Sequence, residues 1–266
     1  VCENNISKKA SEKIPSGRSK KCYTAGMAVY KTKLIRKEEV AEGTMAFYFE
    51  KPKYFNFIAG QYMTVTLLNP PETDDEGNSR CLSIASAPRE KHLMFATRMR
   101  DTAFKRTLKN LPVGSEIKID GPDGLFYLHK DISKPAVFLI GGIGITPVFS
   151  ILKNAAYLKL PHQLFLFYSN KRPEDTAFLK ELQNLEKENK NFKLVATMTE
   201  TAKSKMSWQG ETGFITKEMI KKYIGDLNSP IYYMSGPPTM VKAMRDLLEK
   251  IGVSEDNIRF EEFTGY

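Results

Sequence analysis

Two stretches of the chain set glycine and proline at the end of an apolar run. GGIGITP (141–147) follows AVFLI, and SGPPTM (235–240) follows IYYM; each opens a segment of helical spacing. Glycine lets the backbone turn sharply and lets a phosphate reach its N–H groups, while a helix N-terminus adds partial positive charge. Gly142 and Gly144 match the first two glycines of the dinucleotide fingerprint G-x-G-x-x-G, but Pro147 stands where the third would be. Proline costs no hydrogen bond in a first helical turn. Taken alone, the stretch is either a phosphate-binding turn or a tight bend between buried elements. Gly236, Pro237 and Pro238 would place a second turn on the same sheet edge, either flanking a dinucleotide or simply closing a sheet.

The elements that carry these turns change rhythm along the 266 residues. From about 27 to 128, short segments such as MAVYKTKLIR, TMAFYFE, QYMTVTLL, HLMFATRM and EIKID are rich in β-branched and aromatic residues. Turn chemistry separates them, in NPPETDDEGNS, LPVG and GPDG. Only TAFKRTLKNL has helical spacing there, with Asp101 or Thr102 placed to cap it. An antiparallel β-barrel with one inserted helix is expected. Beyond DISKP, strands at AVFLI, QLFLFYS, FKLVATM and IYYMS alternate with helices near 147–159, 175–189, 216–223 and 238–250, which predicts an α/β unit with a parallel, Rossmann-like sheet. The expected division is a basic arm over 1–25, a β-barrel over 26–131 and an α/β domain over 132–266.

Composition narrows the chemistry. The apolar fraction of 41% and the charged fraction of 27% suit a globular protein, and no run approaches a membrane span. The first residues lack the apolar core of a signal peptide, so a cytoplasmic, reducing setting is expected. Cys2, Cys22 and Cys81 are scattered, as are His92, His129 and His162. Neither a disulfide framework, nor a protein-held iron–sulfur cluster, nor a metal site is expected, and redox chemistry would need an organic cofactor. Most of the net charge of +9 lies in residues 1–37, whose ten Lys and Arg face only Glu3 and Glu12. The stretch SKKASEKIPSGRSKK reads as a solvated tail or as a means of steering toward an acidic partner. It lacks the interleaved aromatics of a single-strand binder, so no specific nucleic acid is expected.

The constellation resembles the ferredoxin–NADP reductase superfamily, which includes reductase components of oxygenases. GGIGITP and SGPPTM are similar to its two nucleotide motifs. RCLSIASAP (80–88) resembles its flavin motif Arg-x-Tyr-Ser, IDGPDGLF its barrel-ending segment, and RFEEFTGY its aromatic-bearing last strand. The resemblance covers about residues 27–266. It implies FAD in the barrel and NADPH or NADH on the parallel sheet, with hydride passing from nicotinamide to flavin N5 and electrons then leaving for an acceptor.

The same resemblance assigns candidate roles. Arg80 would fork onto the flavin diphosphate, a surface ion pair being the plain alternative, with Cys81, Leu82 and Ser86 in the same motif. Ser83 would hydrogen-bond N5. Leu82 replaces the family's tyrosine, and Ser235 replaces the cysteine of many plant-type members. Thr102 and Lys105, at the start of the barrel helix, could hold the same diphosphate. Gly142, Gly144, Thr146, Pro147, Gly236, Pro237 and Met240 would hold the nicotinamide dinucleotide. Thr146 would contact a ring, and Phe263, with Tyr266 as runner-up, would cover the flavin. Glu261 and Glu262 would relay a proton or form a solvated edge. Ser169, Asn170, Lys171 and Arg172 end the second strand of the sheet ahead of Glu174 and Asp175, a pattern that favours NADPH. The expected acceptor is an acidic carrier of ferredoxin or flavodoxin type. An NADH-dependent oxygenase component and a catalytically silent flavin- or nucleotide-binding module are the alternatives.

Overall fold

The computed structural model describes residues 28–263. The basic arm, Cys2, Cys22 and Tyr266 lie outside the described residues.

The first half forms β1 (Val29–Ala41), β2 (Thr44–Glu50), β3 (Tyr62–Leu67), β4 (Ser79–Ser83), β5 (His92–Arg98), α1 (Ala103–Asn110) and β6 (Glu116–Asp123). The six strands make one antiparallel sheet in the order β4-β3-β6-β1-β2-β5. The sheet curls until its edges meet, where the Ala85 and Ser86 N–H groups donate to the Met94 carbonyl. Leu34, Phe47, Phe49, Met63, Val65, Phe95 and Ile119 fill the enclosed core. Thr102 caps α1 by accepting from the Lys105 N–H, and the helix buries Ala103, Phe104, Thr107 and Leu108 on one face. The segment read as the GPDG turn instead prolongs β6 to Asp123, which pairs with Tyr62 across a register shift.

The second half contains β7 (Ala136–Gly141), α2 (Ile145–Tyr157), β8 (Leu164–Asn170), α3 (Leu179–Glu188), β9 (Phe192–Met198), β10 (Glu211–Thr212), α4 (Lys217–Tyr223), β11 (Ile231–Gly236), α5 (Pro238–Lys250) and β12 (Ile258–Glu262). All its strand pairs are parallel, in the order β10-β9-β8-β7-β11-β12. Every residue of β7 and β11 is buried, as a sheet covered on both faces requires. The short β10 falls within WQGETGFI (208–215), between β9 and α4. The helix after β8 starts later than expected. Pro173–Asp175 form a separate 3-10 turn, and Phe178 takes a left-handed φ of 60° just before α3.

The two sheets share a core. Ala46, Ala59, Ala85, Met94 and Ala96 pack in one cluster with Phe149, Ile151 and Phe178. Ser150 Oγ donates to the Ser86 carbonyl at 2.6 Å, and Lys153 forms two 2.8 Å contacts with the Glu90 carboxylate. The chain therefore holds the turns of one sheet at a fixed place beside the strands of the other.

Candidate functional site: a cleft between two sheets

Strand order reverses between β7 and β11, so the turns leaving their carboxyl ends flank the topological switch point of the parallel sheet. The two turns press against each other. A Cβ on Gly144 would lie 2.4 Å from the Ser235 carbonyl oxygen, and one on Gly236 would lie 3.1 Å from the Gly141 carbonyl. Gly142 adopts φ 53°. Sequence reading assigns the glycines to a phosphate; in the fold, Gly144 also admits the Ser235–Gly236 backbone, and Gly236 admits that of Gly141. Gly141, absent from the sequence candidates, leaves room for Met240, whose sulfur would sit 2.3 Å from an added Cβ. Pro147 is buried in the first turn of α2, and Pro237 caps α5. Thr146 is 1% exposed and its hydroxyl donates to the Ile143 carbonyl. That bond holds the turn from which Thr146 would contact a ring.

Two buried polar side chains on this edge have atoms without hydrogen-bond partners: Ser235 Oγ, and both amide atoms of Asn170. Ser169 precedes Asn170 on β8 and is half-buried. Phe263 is half-buried beside the second turn, its N–H donating to the Gly236 carbonyl at 3.1 Å. Since an unpaired buried hydroxyl costs more than a methyl group, Ser235→Ala is expected to change stability by only about 0 to 1 kcal/mol, toward stabilisation. A thermal melt checks this.

On the barrel, Arg80 lies at one end of β4 and Ser83 at the other, three residue rises or about 10 Å apart. Arg80 is engaged. Its Nη1 donates to the carbonyls of Glu76, Gly77 and Ser79, and its Nη2 lies 3.1 Å from Asp74 and 3.0 Å from Glu76. The other Asp74 oxygen accepts from the Ala103 N–H, the first of α1, at 3.1 Å. Burial pushes the Lys105 pKa down to about 8, aided by the charges of Arg100, Arg80 and Arg98 and opposed by Glu76. A cation cluster beside a helix N-terminus is chemistry that suits a diphosphate, and the Asp74 carboxylate stands in for such an anion here. The residues present therefore fit the diphosphate of a flavin dinucleotide.

Leu82 packs on the barrel core. Cys81 sits 3.7 Å from the Thr64 hydroxyl, its partner across the β3–β4 ladder. The Ser86 hydroxyl accepts from the Met94 N–H, so it closes the barrel.

Ser83 is buried and pairs across the ladder with Tyr62, whose hydroxyl donates to Asp123 at 2.8 Å. Burial, that hydrogen bond and the Asp123 and Glu261 charges push the Tyr62 pKa up to about 12. Tyr62 and Glu261 line one cleft with Gly124, Phe126, Arg259 and Phe260. Glu261 in turn is the ladder partner of Ser235. A short path thus runs from Ser83 through Tyr62 and Glu261 to Ser235 and the glycine turns. Glu262 is exposed on the edge strand. Sequence reading missed Tyr62, Asp74 and Asp123; their roles depend on cross-strand and loop pairing that no local motif marks.

After β8, Arg172 makes a two-point contact with Asp175, at 2.9 and 2.8 Å, and reaches Glu42 in the β1–β2 turn at 3.2 Å. Glu174 accepts from the Lys205 N–H and from Ser204 Oγ. The two acids therefore bind neighbouring groups instead of opening a long helix.

Known proteins share this fold. The oxidoreductase NAD-binding domain family matches residues 138–246. The anthranilate 1,2-dioxygenase electron transfer component of Acinetobacter baylyi is 27% identical over 214 residues, 79% of this chain and 59% of that protein. A subunit of the Na(+)-translocating NADH-quinone reductase of Methylococcus capsulatus is 33% identical over 160 residues, 59% of this chain and 39% of that protein. A ferredoxin NADP+ reductase from Neisseria gonorrhoeae, with bound FAD and NADP, superposes with a TM-score of 0.74 at 20% identity, covering 88% of this chain and 98% of that one. The chain shares the two-domain fold of this reductase, and its residues 138–246 match an oxidoreductase NAD-binding domain. The chain spans roughly half the length of the curated relatives it matches, from 39% to 59% in these two. Among its described residues, no helix is long and apolar enough to cross a membrane.

Proposed function

We propose that this chain binds FAD through residues 26–131 and a nicotinamide dinucleotide through residues 132–266, and that it passes electrons from NADH to a separate carrier. The observation that carries this reading is the placement of β4. One end of the strand carries the Arg80 anion site, and the other reaches the cleft opposite the glycine turns. Arg80 and the first turn of α1 would hold the flavin diphosphate. Ser83, Leu82 and Tyr62 would wall the ring, and Phe263 would cover it from the parallel sheet. FAD supplies the redox chemistry when bound, taking up hydride and releasing electrons. The protein's share is alignment and exclusion of water, which the buried turns around Gly144 and Ser235 support.

The sequence pattern Ser169–Arg172 favours NADPH, but the engagement of Arg172 with Asp175 and Glu42 favours NADH. A 2′-phosphate would have to compete with two carboxylates already in place. Asp175→Asn is expected to raise kcat/KM for NADPH relative to NADH about tenfold, from the release of one charge-assisted contact. Steady-state rates with both nucleotides and an artificial acceptor check this.

Relatives that serve a dioxygenase and a quinone reductase support a separate or downstream acceptor, and an acidic ferredoxin- or flavodoxin-type carrier suits the basic composition. The deciding experiment is anaerobic titration of the FAD-loaded protein with NADH and with NADPH, followed by flavin absorbance. Bleaching by NADH at the lower concentration supports the reading. Protein that cannot be loaded with FAD, or flavin that neither nucleotide bleaches, overturns it.

A further inference from the structure

The loop from Asn69 to Asn78 is acidic, with Glu72, Asp74, Asp75 and Glu76 in succession. It is fastened across the start of α1 at three points. Glu72 takes Arg106 at 2.9 and 2.5 Å, Glu76 takes Arg80 at 3.0 Å, and Asp74 bridges Arg80 and the Ala103 N–H at 3.1 Å to each. Burial works to raise the Asp74 pKa, but Arg80 and the N–H groups of Glu76 and Ala103 outweigh it and hold the carboxyl below its usual value. Asp74 is thus an anion set between the arginine fork and the helix N-terminus, the two donors a dinucleotide diphosphate would need.

We propose that Asp74 is an internal competitor for the flavin diphosphate site, and that the 69–78 loop is a strap which must release Arg80 and the Ala103 N–H before FAD seats. The proposal rests on the flavin-binding reading above. Two anions cannot share one guanidinium face and one N–H at these distances without strong mutual repulsion. Binding of FAD therefore exchanges one carboxylate for one diphosphate. Asp74 sets flavin affinity by opposing it, which makes the flavin exchangeable, while Glu72 keeps the strap tethered when Asp74 lets go.

Two measurements on the full chain test this. Flavin fluorescence titrations compare the wild type with Asp74→Asn and with Glu72→Gln, a tether variant. Hydrogen exchange across 69–78 and at the start of α1 is read in the wild type with FAD, and separately with ADP as a bare diphosphate probe. The expected result is FAD binding about tenfold tighter in Asp74→Asn, a smaller change in Glu72→Gln, and faster exchange in the wild-type strap on adding either ligand. Equal or weaker FAD binding by Asp74→Asn, with strap exchange unchanged on ligand addition, overturns the proposal. Should Asp74→Asn fail to fold, the wild-type exchange alone decides. If no protein binds FAD, the flavin reading falls. ADP still reads the strap: release keeps the competition for a diphosphate, and unchanged exchange removes it.

Discussion

Arg80→Ala is expected to weaken FAD binding about a hundredfold in a fluorescence titration of the apoprotein. Arg80 is the best-placed cation on the flavin side, with a side chain only 19% exposed and its guanidinium stacked over the Phe104 ring at 5.0 Å. The Phe104 ring keeps the guanidinium in place when the strap lets go, so the fork loses little freedom on taking up a diphosphate. Hydrogen bonds to charged groups contribute about 1.5–3 kcal/mol each, so losing a two-point contact removes roughly 3 kcal/mol, or a hundredfold. Asp74 sharpens the effect, because without Arg80 its carboxylate faces the incoming anion uncompensated. Arg80→Lys keeps the charge but not the fork, and should recover only part of the loss. Adding Asp74→Asn to Arg80→Ala should recover another part. Binding by Arg80→Ala within threefold of the wild type would place the diphosphate elsewhere and remove β4 from the flavin site.

The sequence makes one kind of pairing legible and hides another. Strand and helix rhythm locates the parallel sheet, because β7, β8 and β11 are near-continuous apolar runs that only a sheet covered on both faces can bury. The glycine–proline turns are legible as turns for the same reason: they follow those runs directly. Their partner is not. That Gly144 needs its missing side chain to clear Ser235 depends on β11 lying next to β7, a long-range pairing of parallel strands. The ion pairs are hidden by similar means. Asp74 precedes Arg80 by six residues in an irregular loop, and only the fold shows that its second oxygen meets α1. Arg172 and Asp175 stand at i, i+3, yet their contact forms because Pro173 opens a short 3-10 turn, and the left-handed Phe178 starts α3 afresh. Tyr62 sits in an ordinary strand pattern; its place in the cleft follows from β6 continuing through Gly121 and Pro122 to Asp123.

The second large effect is expected at Gly144. A Cβ there would lie 2.4 Å from the Ser235 oxygen, 2.5 Å from its carbonyl carbon and 2.7 Å from the Gly236 nitrogen. All three atoms are backbone, so no side-chain rotation relieves the contact. Ser235 is the ladder partner of Ile140 on one side and of Glu261 on the other. To make room, the end of β11 must leave β7, and the second glycine turn moves with it. Overpacking costs about 1–3 kcal/mol where side chains can yield, and backbone on both sides puts Gly144→Ala at the upper end. At roughly 2–4 °C per kcal/mol for a chain of this size, the melting temperature should fall by about 6–12 °C. The KM for NADH should rise at least about tenfold, since both turns of the proposed nucleotide crevice are displaced together. Gly225→Ala adds the same methyl group where nothing lies within 4 Å, and is expected to stay within about 0.5 kcal/mol of the wild type. A Gly144→Ala protein that melts late but binds NADH poorly would mean that the glycine serves the ligand's approach. A protein that melts early and still binds NADH normally would mean that it serves only the contact between turns. Loss of both is expected, because at this switch point the surface that joins the two turns is also the surface that presents them.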